Sequence, residues 1–347
     1  MKKILAIASL HFLIYCSCAE NNHNNKPAEQ TADSSIGKVL IYDATASNAI
    51  DSNAAIEVIA TGYTWSEGPV WIAGKQMLLF SDVPENKIYQ WTEKDSSKLY
   101  LTPSGYTGSV KRIGGEDGAN GLALDKNGQL LLCQSGNRQI ARLNASLSAP
   151  QPSFTVLASN YKGKKFNSPN DLVTDSKNNI YFTDPIYGLP QGEKDSTREL
   201  NIEGVYKIDT SGKLSLLIDS IQRPNGIALS NDEKILYVAS SADKNPKWYV
   251  YNLDEKGEIK TGGVLLDGTT LMTQALVKQG ADGFKIDQYG NIFSAGPDGI
   301  NIISPAGKLI ALIKIYNRKT SNCAFNENKS VLFVTADDVV LRIKLHK

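Results

Sequence analysis

Short apolar runs, each headed by a carboxylate or amide residue, recur along this chain at nearly regular intervals. The six heads are Glu67-Gly68-Pro69-Val70-Trp71, Asn120-Gly121-Leu122-Ala123-Leu124, Asn170-Asp171-Leu172-Val173-Thr174, Asn225-Gly226-Ile227-Ala228-Leu229, Asp282-Gly283-Phe284-Lys285-Ile286 and Asn322-Cys323-Ala324-Phe325-Asn326. Successive heads stand 53, 50, 55, 57 and 40 residues apart, a spacing in the range of propeller and solenoid repeats. Behind the heads come polar turns and second apolar runs: 125–128 leads into 130–133, 175–179 into 180–182, 230–233 into 235–238, 287–290 into 291–293 and 326–329 into 331–334. Runs of this kind, bounded by Asn, Asp, Gly and Ser, predict hairpins. Further runs follow, such as 139–143 with 154–157 and 204–208 with 214–218. Four strands per repeat make a propeller blade.

The last repeat offers runs at 331–335 and 339–345 and is then one strand short. The run 55–60 precedes the first head and needs a partner; pairing it onto the last blade closes the ring and removes an exposed sheet edge. The predicted fold is therefore all-β: a six-bladed β-propeller over residues 38–347, closed by an N-terminal strand. No helical periodicity is found beyond the first residues. Three stretches, 100–118, 187–203 and 246–279, exceed simple blade connections and mark the expected functional face.

The N-terminus departs from this pattern. Lys2 and Lys3 precede an apolar run over 4–16, followed by Ser17, Cys18 and Ala19, which reads as an export signal over 1–19. Two processing routes fit: lipid attachment at Cys18, as in a bacterial lipoprotein, or cleavage after Ala19. The expected location is the periplasm, or the outer membrane through that lipid anchor. Residues 20–37 are polar and read as a flexible tether. With 37 basic and 36 acidic residues the net charge is +1, which argues against nucleic acid as a partner. No apolar run is long enough to span a membrane. Cys133 and Cys323 stand in apolar strands of non-adjacent repeats, and read as two buried thiols rather than a disulfide.

Histidine narrows the chemistry. Its three copies, His11, His23 and His346, all lie outside the repeats, which excludes imidazole-relayed nucleophiles and His-based zinc or iron sites. Any one Asn-Gly or Asp-Gly reads as a turn. Six oxygen-bearing heads in one register are harder to assign to turns, since equivalent positions of a ring converge on its axis. Such donors suit a hard divalent cation. Glu67 and Asp282 would bring two negative charges, and Asn170 and Asn225 neutral carbonyl oxygens. Without a cation, carboxylates gathered in a channel would repel one another.

The sequences around Glu67, Asn170, Asn225 and Asp282, together with Phe182-Thr183-Asp184-Pro185, Tyr187-Gly188-Leu189 and Thr320-Ser321-Asn322-Cys323-Ala324-Phe325, resemble the signatures of the SMP-30/gluconolactonase/regucalcin family over residues 55–345. The resemblance implies a six-bladed propeller with one catalytic divalent cation that hydrolyses a sugar lactone. It implies calcium first, with magnesium, manganese or zinc as alternatives. By motif, Glu67, Asn225 and Asp282 match metal ligands, Asn170 a metal or substrate contact, and Asp282 the proton acceptor and donor. Ser168 stands where the family carries an arginine, so the substrate of its better-known members does not transfer. Asn120, Asn322, Asp184 and Tyr187 are further candidates for contacting substrate. A phosphotriesterase-like hydrolase and a non-catalytic binding propeller are the competing readings.

Overall fold

The inner strands follow one another around a closed ring. They are Ser66–Ile72, Ala119–Leu124, Leu172–Thr174, Pro224–Leu229, Phe284–Ile286 and Thr320–Phe325, and each packs beside the next, the sixth beside the first. This computed structural model describes residues 35–110, 112, 114–242 and 244–346. The expected export signal and the tether up to residue 34 lie outside the described residues. Each inner strand begins an antiparallel sheet whose further strands follow in chain order. The result is the six-bladed β-propeller that the repeat predicts.

The last blade takes its outer strand from the start of the chain. Ile56–Thr61 pairs antiparallel with Val339–Lys344, and Glu57 accepts hydrogen bonds from Arg342 across that pair at 2.8 and 2.6 Å. Apolar packing carries the same junction. Phe333 and Val340 of the sixth blade share a buried cluster with Leu78 and Phe80 of the first, and the Trp71 ring stacks on Phe333 at 5.1 Å. Each such fully buried side chain contributes about 1.5–3 kcal/mol.

Three features depart from expectation. Gly37–Ile41, at the boundary assigned to the tether, is a fifth strand on the fifth blade, paired with Leu309–Ile315. The expected insertion 246–279 is largely blade: it contains the two outer strands Lys247–Leu253 and Ile259–Asp267. Only the connection after Asp267 is additional, and it holds an α-helix, Thr269–Gln274, where no helix was expected. Cys133 and Cys323 are both buried and unbridged.

Antiparallel order fixes which end of the ring carries the long loops. In each blade, the turn from second to third strand and the connection from fourth strand to the next inner strand emerge where the inner strands begin. The segments 102–118, 185–203 and 268–283 are all of these two kinds. They therefore crowd the end at which the six heads stand.

Candidate active site

Ladder register is broken at the heads. Two residues oppose one between Glu67 and Val70, Ala119 and Leu122, and Pro224 and Ile227, and a further shift falls between Thr320 and Asn322. Bulges of this kind bend a strand and re-aim a side chain. The Asn-Gly pairs are thus strand bulges rather than turns. Neighbouring heads are tied by hydroxyl groups: Ser81 Oγ donates to the Asn120 carbonyl (2.9 Å), Thr183 Oγ1 to that of Asn225 (2.7 Å) and Ser321 Oγ to that of Ser66 (2.6 Å).

A cavity of about 580 Å³ opens over the heads, lined by Glu67, Asn120, Asn170, Asn225 and Asp282 among others. Tyr187 forms part of its wall, with the Arg223 guanidinium 5.6 Å from the ring centre on its other side. Glu67 Oε2 accepts the Gly68 N–H at 2.6 Å, and Asp282 Oδ1 the Gly283 N–H at 3.0 Å. Glu67 is buried and Asp282 partly buried, and both carboxyl groups are held well above the usual carboxylate range. Burial is the largest cause for each; the Glu67 charge raises Asp282 further, and Asp171 and Glu116 add to both.

Two buried amide oxygens at this cavity, Asn120 Oδ1 and Asn225 Oδ1, have no hydrogen-bond partner among the described residues. An orphaned buried carbonyl oxygen costs about 1–3 kcal/mol and calls for a donor or a cation. Repelling carboxylates and unpaired carbonyl oxygens on one surface together fit a hard divalent ion. Among the described residues no three His, Cys, Asp or Glu side chains gather as a metal-binding group, so an ion here would draw on two carboxylates and neutral amides.

Two expected substrate contacts lie away from the cavity surface. Asp184 is buried in the third blade, where its carboxylate accepts the backbone N–H groups of Asn167 and Ser168, each at 2.8 Å. Asn322 sits in the layer beneath the cavity. Its Oδ1 accepts from Cys323 N–H (2.8 Å) and Lys285 Nζ (3.2 Å), and Lys285 in turn lies 3.9 Å from Asp171 Oδ2.

The loops contribute what the repeat could not announce. The connection 102–118 carries Glu116 onto the cavity, and burial lifts its carboxyl to about 7 against the opposing effects of Asn120 and Arg112. Lys244, Met272, Thr273, Lys278, Gln279 and Lys319 complete the mouth. The only advance signal for them was the length of the loops.

Six blades closed into a ring, with a cavity over the heads of the inner strands, define the class as a β-propeller. Residues 65–338 match the SMP-30/gluconolactonase/LRE-like region, and the chain belongs to that family. It is 36% identical to the gluconolactonase of Zymomonas mobilis over 332 residues, 94% of this chain and 89% of that one. It is 24% identical to human regucalcin over 273 residues, 78% of this chain and 82% of that one. The solved gluconolactonase of Xanthomonas campestris superposes with a TM-score of 0.74 at 26% identity, covering 89% of this chain and 94% of its own.

Proposed function

We propose that this chain hydrolyses a sugar lactone in the cavity over the heads, with one divalent cation held by Glu67, Asn170, Asn225 and Asp282. One observation carries the reading: two mutually repelling carboxyl groups, one buried and one partly buried, share a cavity with the unpartnered Asn225 carbonyl oxygen. Family membership and the likeness to gluconolactonases support the reaction class. Calcium suits the all-oxygen donor set, with magnesium, manganese and zinc as alternatives. When bound, such an ion supplies Lewis acidity to a carbonyl.

The chain's own residues do the rest. Asp282, its proton affinity raised by burial and by Glu67, takes the proton of the water that attacks the lactone carbonyl, and returns it to the ring oxygen as the C–O bond breaks. Asn120 and Asn170 present amide groups to the sugar hydroxyls. Tyr187 supplies a flat wall against one face of the ring.

The test is hydrolysis of glucono-δ-lactone by metal-stripped protein, repeated with each cation added back. Activity should be absent after stripping, return with one or more cations, and be lost in D282N. Undiminished turnover without any cation would overturn the metal assignment. No turnover of any lactone under any condition would favour a non-catalytic binding propeller.

We further propose that the body is exported through residues 1–19 and held at a bacterial membrane by a lipid on Cys18, with cleavage after Ala19 as the alternative. Metabolic labelling with palmitate decides between them: label lost in C18S supports the anchor, and an unlabelled soluble protein refutes it.

A further inference from the structure

The hub is acidic, yet one side of the mouth is cationic. Lys244, Lys278 and Lys319 line the cavity, and they come from three successive segments: the 241–246 turn of the fourth blade, the connection to the fifth, and the connection to the sixth. These segments are stapled together. Gln279 Nε2 donates to the Thr320 carbonyl at 2.6 Å, and the Thr320 N–H donates back to Gln279 Oε1 at 2.9 Å. That reciprocal pair ties together the two segments that bear Lys278 and Lys319. Ser241 Oγ donates to the Ala281 carbonyl, which ties the turn bearing Lys244 to the same connection.

Neighbouring cations are neutralised and, among the described residues, these three are not. Lys247 reaches Asp267 at 3.7 Å, Lys314 reaches Asp298 at 2.9 Å and Arg318 reaches Asp338 at 2.8 Å. Asp337 receives the backbone N–H of Lys319 rather than its ammonium group. Among the described residues none of the three lysines has an ion-pair partner. Glu116 and Tyr187 also line the cavity, and the cations beside them, Arg112 and Arg223, are engaged by Asp117 at 2.9 Å and Glu193 at 3.4 Å. Like charges on segments tied together in this way repel one another, and an anion between them removes that cost.

We infer that the substrate is an anionic lactone: a sugar lactone whose end remote from the reacting carbonyl carries a phosphate or carboxylate, received by Lys244, Lys278 and Lys319. This rests on the cavity being a lactone site. A volume of about 580 Å³ lies within the span of small-molecule pockets and leaves room for the added group. Recognition of this kind is Coulombic, so it weakens with ionic strength.

Steady-state kinetics with added calcium would compare glucono-δ-lactone, its 6-phosphate, and the monolactone of the corresponding dicarboxylic acid. At least one charged lactone should show a kcat/KM at least tenfold above that of the neutral one, with the ratio falling as salt is added. The K278Q/K319Q variant should lower that ratio at least tenfold, K244Q should lower it further, and K278R/K319R should restore it. Whichever charged lactone is preferred identifies the anion. Calorimetric titration of 6-phosphogluconate against gluconate reads the same site without turnover. Tighter binding of the phosphorylated acid, abolished in K278Q/K319Q, supports the inference even where no lactone is hydrolysed, a result that would defeat the enzymatic reading alone. Equal kcat/KM for neutral and charged lactones, with equal binding of the two acids, overturns it.

Discussion

Gly226 lies so close to the Asp282 carbonyl that a Cβ placed on it would come within 2.4 Å of the oxygen. The glycine of the fourth head is therefore the surface on which the fifth head rests. Backbone cannot yield as a flexible side chain does, so G226A should push the two inner strands apart. Overpacking of this kind costs about 1–3 kcal/mol. The predicted outcome is a lower urea midpoint together with weakened calcium affinity, because Asn225 and Asp282 move relative to each other. Wild-type calcium affinity in a folded G226A protein would show that this contact does not set the spacing of the hub.

Cation removal has a signed consequence at the same place. Glu67 is buried and Asp282 partly buried, and the cost of ionising both side by side is uncompensated without an ion. Stripping the protein should lower its melting temperature, and calcium at a hundred times its dissociation constant should return about 2.7 kcal/mol. E67Q removes the repulsion between this pair. Metal-free E67Q should therefore melt above metal-free wild type and gain almost nothing from calcium. A calcium-induced shift in E67Q as large as that of wild type, followed by differential scanning fluorimetry, would argue against Glu67 as a ligand.

The hub was legible because it repeats. Glu67, Asn120, Asn225 and Asp282 stand in one register with the strands behind them, and ring symmetry carries such positions to one axis. What does not repeat was hidden. Gly37–Ile41 has no counterpart on any other blade, and its place beside Leu309–Ile315 follows from long-range pairing that no local pattern encodes. Glu116 lies in a connection whose course is set by packing rather than period. In the third head two adjacent polar residues part company: Asn170 lines the cavity, while Asp171 lies one layer below with Lys285. Asp184 sits beside pocket residues in sequence, but its carboxylate is taken up by the backbone N–H groups of Asn167 and Ser168.

Beneath the cavity, Lys285 is the cation that faces Asp171. Its Nζ stands 3.9 Å from Asp171 Oδ2 and 3.2 Å from Asn322 Oδ1, while Asp171 is almost wholly buried. K285M would leave that carboxylate buried without a counter-charge. Breaking a pair from one side costs more than replacing both members, so K285M should lose on the order of 2–3 kcal/mol and K285M/D171N should recover most of it. Chemical denaturation of the two single variants and the double variant gives the coupling directly. Additive losses would mean that the pair does not interact.

Asp184 provides a pH test remote from the hub. Burial raises its carboxyl to about 7, although the N–H groups of Asn167 and Ser168 pull the other way. Because the folded value lies above the unfolded one, folding favours the protonated form. The contribution to stability is complete below about pH 4 and is lost as pH rises through about 7. Across that interval the unfolded chain has released the proton and the folded one retains it, so the slope of stability against pH is negative for this group. D184N cannot titrate and removes the slope. Urea midpoints at pH 4.5 and pH 8 should therefore show wild type losing on the order of a few kcal/mol relative to D184N between the two. The asparagine keeps only one acceptor for two N–H groups, so D184N should be the weaker protein at pH 4.5 and approach or pass wild type at pH 8. Parallel profiles would mean that the Asp184 carboxylate is ionised throughout and that its two N–H donors outweigh its burial.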